Sequence, residues 1–388
     1  MAILRGLDTL GTVFSRRTSR DQSLNTIAQL LGETSRPAFD LTSSNPTSVG
    51  LDYATDLLEV LARAQREAQV YRPEPFGALA AREAVARLCG GSAADVLLTA
   101  STSEAYGFLF KLLCDPGDAV LVPSPSYPLF EHLAELEAVQ ALGYRLAYDG
   151  AWHIDLDSLR RAVTPRTRAV VVVSPNNPTG QYLTQPELEA LAELGLPIIC
   201  DRVFAEFTLV ERQRPALRAP EELLMFSLDG LSKRAGSPQL KLAWTVISGP
   251  EAARREARAR LELIADTFLS VSTAVQSALP EILELCPSLT RVIAARCRDN
   301  LALLASSLQA SPITLLRPEA GWSAVLHLPR LATEEELVLG LLRQQQVLTQ
   351  PGWYYDFATE PYLIVSLLSE PRVFAEGVAR LVHHVTRL

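Results

Sequence analysis

Short apolar runs alternate with amphipathic stretches along the middle of the chain. The apolar runs lie at residues 95–99, 119–122, 169–173, 197–200, 223–228 and 243–248. Segments with helical spacing, such as 104–113 and 185–193, lie between most of them. Strands that are apolar at nearly every position are typical of sheets covered on both faces. The pattern therefore predicts a doubly wound α/β domain, with a mostly parallel sheet flanked by helices.

The two ends of the chain show a different pattern. Residues 1–45 form an irregular arm with one predicted helix at 21–31, and helical spacing returns at 53–69 and 78–88. Beyond residue 280, helical and strand-like stretches are mixed, with strands at 321–328 and 362–368 and helices at 334–345 and 373–385. We predict an arm (1–45) that joins the small domain, a large domain (46–280) and a smaller α+β domain (281–388).

Polar or turn-forming residues follow the predicted strands. They are 101–103, 124–127, 174–180, Asp201 and Lys233. The carboxyl ends of parallel strands share one edge of a sheet, and ligands of doubly wound folds bind at that edge. No GxGxxG motif follows the first strand, which argues against a dinucleotide-binding fold.

Composition and charge exclude several classes of partner. The chain has 388 residues, 48% of them hydrophobic and 21% charged, with a formal net charge of -8. Acids and arginines are interspersed, so nucleic acid is not an expected partner. No apolar run approaches the roughly 18 residues of a membrane span, and the N-terminus lacks the apolar core of a secretory signal. Five scattered cysteines fit buried thiols in a reducing compartment, and we predict a cytoplasmic protein without a metal site.

Lysine is rare in this chain, and its positions suggest a chemical role. The three lysines are Lys111, Lys233 and Lys241, and every other residue in the Lys+Arg total of 36 is arginine. Arginine cannot lose its proton, but lysine can become a neutral nucleophile and form a Schiff base. Lys233 follows a buried run, and we expect its cationic neighbour Arg234 to help lower its pKa. A solvated loop lysine is the alternative for an isolated Ser-Lys pair.

Pyridoxal 5'-phosphate (PLP) is the common carbonyl cofactor for a lysine that forms a Schiff base. Asp201 ends a buried strand and suits the pyridine nitrogen, while Asn177 lies in a Pro/Gly loop and suits the ring oxygen. Tyr127 offers an aromatic face. Ser101, Thr102 and Ser103 precede a predicted helix, whose N-terminal amides can bind phosphate. Each residue also has a structural alternative, namely a turn, a core aromatic or a helix cap.

The order of these motifs resembles that of the fold-type I PLP-dependent aminotransferases of class I/II. The resemblance rests on the run 174–180, on Asp201, and on Lys233 with a basic residue eight positions later. It extends through segments at 71–77, 98–105, 115–128 and 350–357, and covers roughly residues 40–370.

The resemblance implies a role for each candidate residue. Lys233 would form the aldimine with PLP, and Asp201 would contact the pyridinium nitrogen. The other cofactor contacts that it implies are Asn177 at the ring oxygen, Tyr127 stacked on the ring, and Thr102, Ser103 and Lys241 at the phosphate. Tyr71 would reach the phosphate of the neighbouring subunit's cofactor, which implies a homodimer.

The chain departs from the family pattern at four positions. Lys241 stands where the family has a phosphate-binding arginine, Phe204 replaces a tyrosine, and Gly230 replaces a serine. The strand that normally carries the substrate-carboxylate arginine, 362–368, has none. The candidate substitutes are Arg372 and the pair Arg16 and Arg17. A substrate with an apolar body is the other possibility, and it would meet Trp322, Trp353 and Tyr354.

The sequence favours a homodimeric PLP-dependent aminotransferase that moves an amino group between an amino acid or amine and a 2-oxo acid. Lys233 would carry the proton as general base and acid. Another PLP reaction on the same fold, such as a β-elimination (C–S lyase), a racemisation or a replacement, is the alternative. A PLP-binding sensor without turnover would need an attached DNA-binding module, for which the chain has no room.

Overall fold

A computed structural model of the protein describes residues 14–18, 23–33, 37–51, 55–210, 217–359 and 361–388. The strands are β1 Phe39–Asp40, β2 Val96–Thr99, β3 Ala119–Ser124, β4 Gln140–Tyr148, β5 Trp152–Ile154, β6 Thr167–Val173, β7 Ile198–Asp201, β8 Met225–Gly230, β9 Ala243–Ser248, β10 Thr314–Leu316, β11 Ser323–His327, β12 Val347–Leu348, β13 Gln350–Pro351 and β14 Tyr362–Ser366.

The α-helices are α1 Thr26–Glu33, α2 Thr55–Glu67, α3 Leu79–Cys89, α4 Thr102–Leu113, α5 Phe130–Leu136, α6 Leu156–Ala162, α7 Gln185–Ala192, α8 Leu231–Arg234, α9 Glu251–Phe268, α10 Thr273–Ser307, α11 Glu334–Gly340 and α12 Pro371–Thr386. Short 3₁₀ turns lie at Arg16–Thr18, Pro46–Ser48, Ala93–Asp95, Pro238–Leu240 and Gly352–Tyr355, and a π turn at Leu341–Gln345 extends α11.

The large sheet has eight strands in the order β2-β9-β8-β7-β6-β3-β4-β5. Its central neighbours, from β8 through β7, β6 and β3 to β4, all run parallel, and antiparallel pairing is confined to β9, β2 and β5. The core strands are buried at nearly every position, as a sheet covered on both faces requires. The predicted mostly parallel sheet is confirmed.

The pattern missed two strands of this sheet, β4 and β5. Strand β4 has only two buried residues, Tyr144 and Leu146, among partly and fully exposed ones. Its sequence therefore lacks the continuous apolar run that marks the central strands. A pattern of long apolar segments therefore does not predict the hairpin of β4 and β5.

The second body of the protein is built on a four-stranded antiparallel sheet in the order β10-β11-β14-β13. The N-terminal arm joins it through β1, which pairs parallel to β12. Part of the helix predicted at 21–31 is α1, and residues 21 and 22 lie outside the described residues. Residues 1–13 of the arm also lie outside them.

One long helix, α10, runs through residue 280, where we placed the domain boundary. Its buried residues up to Leu289 pack in a cluster with α2, α3 and β9, whereas those from Ile293 onward pack with the small sheet. A single helix therefore supports both cores, and the domain limits stay predictions.

The described residues contain no helix that is both long and apolar enough to cross a membrane. All five cysteines are free thiols. The expectation that they are buried is wrong for Cys89, which is exposed at the end of α3.

Candidate active site

Lys233 lies in the single turn of α8, directly after the buried strand β8. Its Nζ sits 4.8 Å from the ring centre of Trp322 and 5.4 Å from that of Phe204. Burial lowers the pKa of this amine to about 8, against the opposing charge of Asp201. Within the described part of the chain, no carboxylate forms an ion pair with Lys233, so the amine is held against aromatic faces.

A buried ion pair fixes the turn that carries Lys233. Arg234 donates from Nε and Nη2 to Oδ2 of Asp229, at 3.1 and 2.6 Å, and Nη2 also contacts Glu206 at 3.2 Å. Thr290 in α10 donates to the Arg234 carbonyl oxygen at 2.9 Å. The expectation that Arg234 lowers the pKa of Lys233 is wrong, because its guanidinium is neutralised by Asp229 and burial is the cause.

Asp201 ends β7 and lies only 7% exposed. Its Oδ2 accepts a hydrogen bond from the Tyr106 hydroxyl at 3.1 Å, and its Oδ1 accepts one from the Val203 amide at 3.1 Å. Burial raises the pKa of this carboxyl to about 6, although the two hydrogen bonds and Lys233 oppose the rise. The carboxylate is thus oriented at both oxygens and remains weakly basic near neutral pH.

Thr102 and Ser103 are the first residues of α4. The helix begins there because the Ser101 side chain caps it, accepting from the Glu104 amide at 3.1 Å, while Glu104 accepts from the Ala100 amide. A helix of twelve residues presents free amides at this end, which favours an anion. Ser103 also hydrogen-bonds Tyr127, whose pKa is raised by burial.

The loop that carries Asn177 is fixed by its neighbour, Asn176. Ser126 donates to Oδ1 of Asn176 at 2.6 Å, and Nδ2 of Asn176 donates to the Pro125 carbonyl and to Thr179 at 3.0 and 2.8 Å. This buried network joins the loop after β6 to the loop before Tyr127. Asn177 itself accepts from the Ser323 hydroxyl at 3.3 Å.

The motif search missed three residues of this site: Tyr106, Asn176 and Ser323. Helical spacing places Tyr106 one turn after Thr102 and Ser103, a relation that was available in the sequence. Ser323 comes from the second body of the protein, and local spacing gives no signal for a contact with Asn177.

Tyr71 and Lys241 lie at the periphery of the described chain. Tyr71 is 70% exposed in a loop before α3. Lys241 is exposed and has a left-handed backbone, with φ of 50°. Their roles at the phosphate, and the contact of Tyr71 with a neighbouring subunit, stay predictions.

Gly230 has a steric reason to be glycine. A Cβ atom there would lie 2.9 Å from the Ala243 Cβ and 3.1 Å from the Leu242 carbonyl oxygen on the neighbouring strand. A serine would therefore push β8 away from β9. Phe204, the other departure near Lys233, packs edge-on against Trp322 with ring centres 5.4 Å apart.

Strand β14 supplies no cation, and its central residues Leu363, Ile364 and Val365 are fully packed. Arg372 is exposed at the start of α12, and Arg16 is exposed in the arm. Arg17 donates to the Leu136 carbonyl oxygen at 3.0 Å, at the end of α5. None of these contacts joins a candidate arginine to Lys233 or Asp201.

The three candidate apolar contacts differ in their surroundings. Trp322 is 3% exposed and lies against Lys233. Trp353 and Tyr354 stack edge-on with ring centres 4.3 Å apart, and the Tyr354 hydroxyl accepts from Asn25 of the arm. Trp322 is thus the better placed of the three to contact a group bound at Lys233.

The family model of aminotransferase class I and II matches residues 36–370. The chain belongs to this family. It is 25% identical over 373 residues to a glutamate-pyruvate aminotransferase AlaA of Haemophilus influenzae, covering 90% of this chain and 91% of the relative. It is 26% identical over 305 residues to the tyrosine aminotransferase of Mus musculus, covering 74% and 67%.

Solved aminotransferase structures share the fold. Tyrosine aminotransferase from Leishmania infantum superposes with a TM-score of 0.84 at 21% identity, covering 95% of this chain and 99% of that one. Alanine aminotransferase from Pyrococcus furiosus superposes with a TM-score of 0.82 at 22% identity, covering 93% and 95%. At these identities the likeness shows the fold alone, and the predicted fold-type I architecture is confirmed.

Proposed function

We propose that this class I/II aminotransferase moves an amino group between an amino acid or amine and a 2-oxo acid, with PLP bound at Lys233. The observation that carries the proposal is the pairing of a desolvated amine with a buried, weakly basic carboxylate at the carboxyl ends of β7 and β8. Every relative named above is an aminotransferase, which favours transfer over elimination, racemisation or replacement.

The residues of the site fit PLP. Asp201 would face the pyridine nitrogen, because each of its oxygens uses one lone pair on a protein donor and keeps another. Tyr127 and Asn177 would contact the ring, and the N-terminus of α4 with Thr102, Ser103 and Lys241 would hold the phosphate. PLP, when bound, supplies the electron sink for cleavage at the substrate Cα.

Lys233 would move the proton of the reaction. A side chain is an efficient general acid and base when its pKa lies near the working pH. The pKa of Lys233, about 8, meets this condition. Trp322 and Phe204 exclude water from Nζ on the sides where they lie, so a proton held there is transferred to substrate rather than lost to solvent.

We propose a substrate other than aspartate or glutamate. An unpaired carboxylate in an apolar site costs several kcal/mol, and the centre of β14, where the family places an arginine, consists of the buried aliphatic residues Leu363, Ile364 and Val365. Trp322 provides an apolar surface beside Lys233. Amino acids with apolar side chains, and simple amines, fit this environment better than dicarboxylates.

We further propose a cytoplasmic homodimer. The exposed Tyr71 loop would complete the phosphate site of the neighbouring subunit. Sedimentation of wild type and Tyr71→Ala, together with their PLP affinities, would test this contact. A monomeric wild type that binds PLP fully would contradict it.

The proposed reaction is tested by mixing the PLP-loaded protein with one amino donor at a time, without an acceptor. Aromatic and aliphatic amino acids, simple amines, aspartate and glutamate are compared. Transfer releases one 2-oxo acid or aldehyde per site and leaves the cofactor in its amine form. Release of ammonia or pyruvate over many turnovers would establish a lyase instead. Aspartate emerging with the highest kcat/KM would refute the proposed specificity.

A further inference from the structure

The Tyr106 hydroxyl reaches the Asp201 carboxylate from a different element of the fold. Tyr106 lies one turn inside α4, is 1% exposed, and donates to Oδ2 of Asp201 at 3.1 Å. The opposite oxygen accepts from the Val203 amide in the turn after β7. Each oxygen of the carboxylate therefore accepts one hydrogen bond, and rotation about the Cβ–Cγ bond would break at least one of these two hydrogen bonds.

The ring of Tyr106 fills space in the core, whereas its hydroxyl has a separate role. The ring packs on Phe110 and Phe130, with centres 6.0 and 5.4 Å away. Phenylalanine would make the same contacts. The hydroxyl contributes one thing more, a hydrogen bond to Asp201, the buried carboxylate whose charge acts on Lys233.

The direction of this hydrogen bond follows from the acidity of the two groups. Burial raises the pKa of the Tyr106 phenol well above its ordinary value of 10.0, so the phenol keeps its proton. The Asp201 carboxyl ionises at about 6. Above that pH the phenol is the donor, and a donor stabilises the charged form of its acceptor.

Other titratable or charged groups also face Asp201. The groups that interact electrostatically with Asp201 are Lys233 on α8, Asp229 on β8, Tyr127 on the loop after β3, and the preceding residue Cys200 in β7. Lys233 stabilises the charged carboxylate, whereas Asp229 and burial disfavour it. Tyr106 is a neutral donor, so its contribution is separable from these charges by removing one oxygen atom.

We propose that Tyr106 is a positioning residue of the reaction: its hydroxyl orients the Asp201 carboxylate and keeps it ionised where the pyridine nitrogen of PLP would bind. The role in the reaction rests on the proposed function, but the hydrogen bond, and its effect on the orientation and pKa of Asp201, do not require the cofactor. A test on the apoprotein therefore separates the two.

The experiment measures the pKa of Asp201 in the apoprotein. The protein is labelled with ¹³C at aspartate carboxyl carbons, and the Asp201 resonance is assigned by its loss in Asp201→Asn. Tyr106→Phe should raise the pKa of Asp201 by about one to two units, the size of a lost hydrogen bond to a charged group. Incorporating 3-fluorotyrosine at position 106 makes the phenol a stronger donor, and should lower the same pKa.

Tyr144→Phe is the matched control. Tyr144 is also 1% exposed, and its hydroxyl donates to the Val171 carbonyl oxygen at 2.9 Å, away from Asp201. It should cost similar stability and leave the pKa of Asp201 unchanged. In PLP-loaded protein, the pH at which the cofactor absorbance changes should shift in Tyr106→Phe and not in Tyr144→Phe.

Equal Asp201 pKa values in wild type, Tyr106→Phe and Tyr144→Phe would overturn the proposal. If Tyr106→Phe does not fold, the 3-fluorotyrosine protein decides, because its shape is nearly unchanged. A pKa that stays constant or rises there would also overturn it. Failure of amino transfer with a shifted Asp201 pKa would instead count against the proposed function alone.

Discussion

Asp95 and Asp229 are buried carboxylates bound by arginines, whereas Asp201, which is as buried as Asp229, forms no ion pair within the described chain. Asp95 is 3% exposed and binds Arg254 and, at 2.7 Å, Arg258. Asp229 is 7% exposed and binds Arg234 at 2.6 Å. Asp201, also 7% exposed, has one hydroxyl and one amide as its donors.

We interpret this difference as one between carboxylates that stabilise the fold and a carboxylate that is available to a ligand. A buried charge without an ionic partner is costly, and shifted pKa values cluster at functional sites for this reason. Burial disfavours the charged form of both Asp201 and Lys233, so it raises the pKa of Asp201 and lowers the pKa of Lys233. Asp95 connects the turn before β2 to α9, and Asp229 connects β8 to α8, so both carboxylates are paired within the fold.

The largest expected effects come from replacing each of two aspartates, Asp201 and Asp229, by asparagine, since one change should affect activity and the other stability. Asp201→Asn should lower the rate of amino transfer by about 100-fold or more, the size of losing one aligned electrostatic group, and should leave apoprotein stability equal or higher. Asp229→Asn should lower the free energy of unfolding by about 3 kcal/mol, because it removes the buried partner of Arg234 and leaves only the half-exposed Glu206. Single-turnover kinetics and urea unfolding of both variants measure this. A larger stability loss in Asp201→Asn than in Asp229→Asn would break the comparison.

Lys233→Met should stabilise the apoprotein at neutral pH, by on the order of 2 to 3 kcal/mol. The folded pKa of Lys233 is about 8, lowered from 10.5, so the unfolded chain binds more protons between these values. Wild-type stability should therefore rise with pH from about 8 to 10.5, and this rise should vanish in Lys233→Met. The exposed Lys241→Met is the control. Urea unfolding that gives parallel pH profiles for wild type and Lys233→Met would contradict the desolvation of this amine.

The smallest expected effect concerns the phosphate. Lys241→Ala should weaken PLP binding by about fivefold, the scale of one partly solvated charge contact of about 1 kcal/mol. Lys241→Arg should bind PLP as well as wild type or better, because the guanidinium can form a bidentate contact. Equilibrium dialysis measures both. Unchanged PLP affinity in Lys241→Ala would remove Lys241 from the phosphate site.

The central strands, and the positions of Asp201 and Lys233 at the ends of two of them, could be predicted because these signals are local. The runs at 169–173, 197–200 and 223–228 correspond to β6, β7 and β8, and the polar residue that follows each is close to it in sequence. Burial of both sheet faces makes these strands apolar, and the shared direction of the strands brings Asp201 and Lys233 to one edge.

Contacts between distant segments could not be predicted in this way. Ser323 lies 146 residues from its partner Asn177, and Tyr106 lies 95 residues from Asp201. Arg234 was expected to lower the pKa of its neighbour Lys233, but its guanidinium is paired with the buried carboxylate of Asp229. Such pairings depend on how the elements pack, which the spacing of residues within one segment does not encode.

Lys233 is the residue proposed to bind PLP, and the most direct measurement is to locate that bond. The PLP-loaded protein is reduced with borohydride, digested and mapped by mass spectrometry. The PLP adduct should lie on Lys233, and Lys233→Ala should lose both the adduct and the visible absorbance of the bound cofactor. An adduct on Lys111 or Lys241 in the wild-type protein would contradict the account.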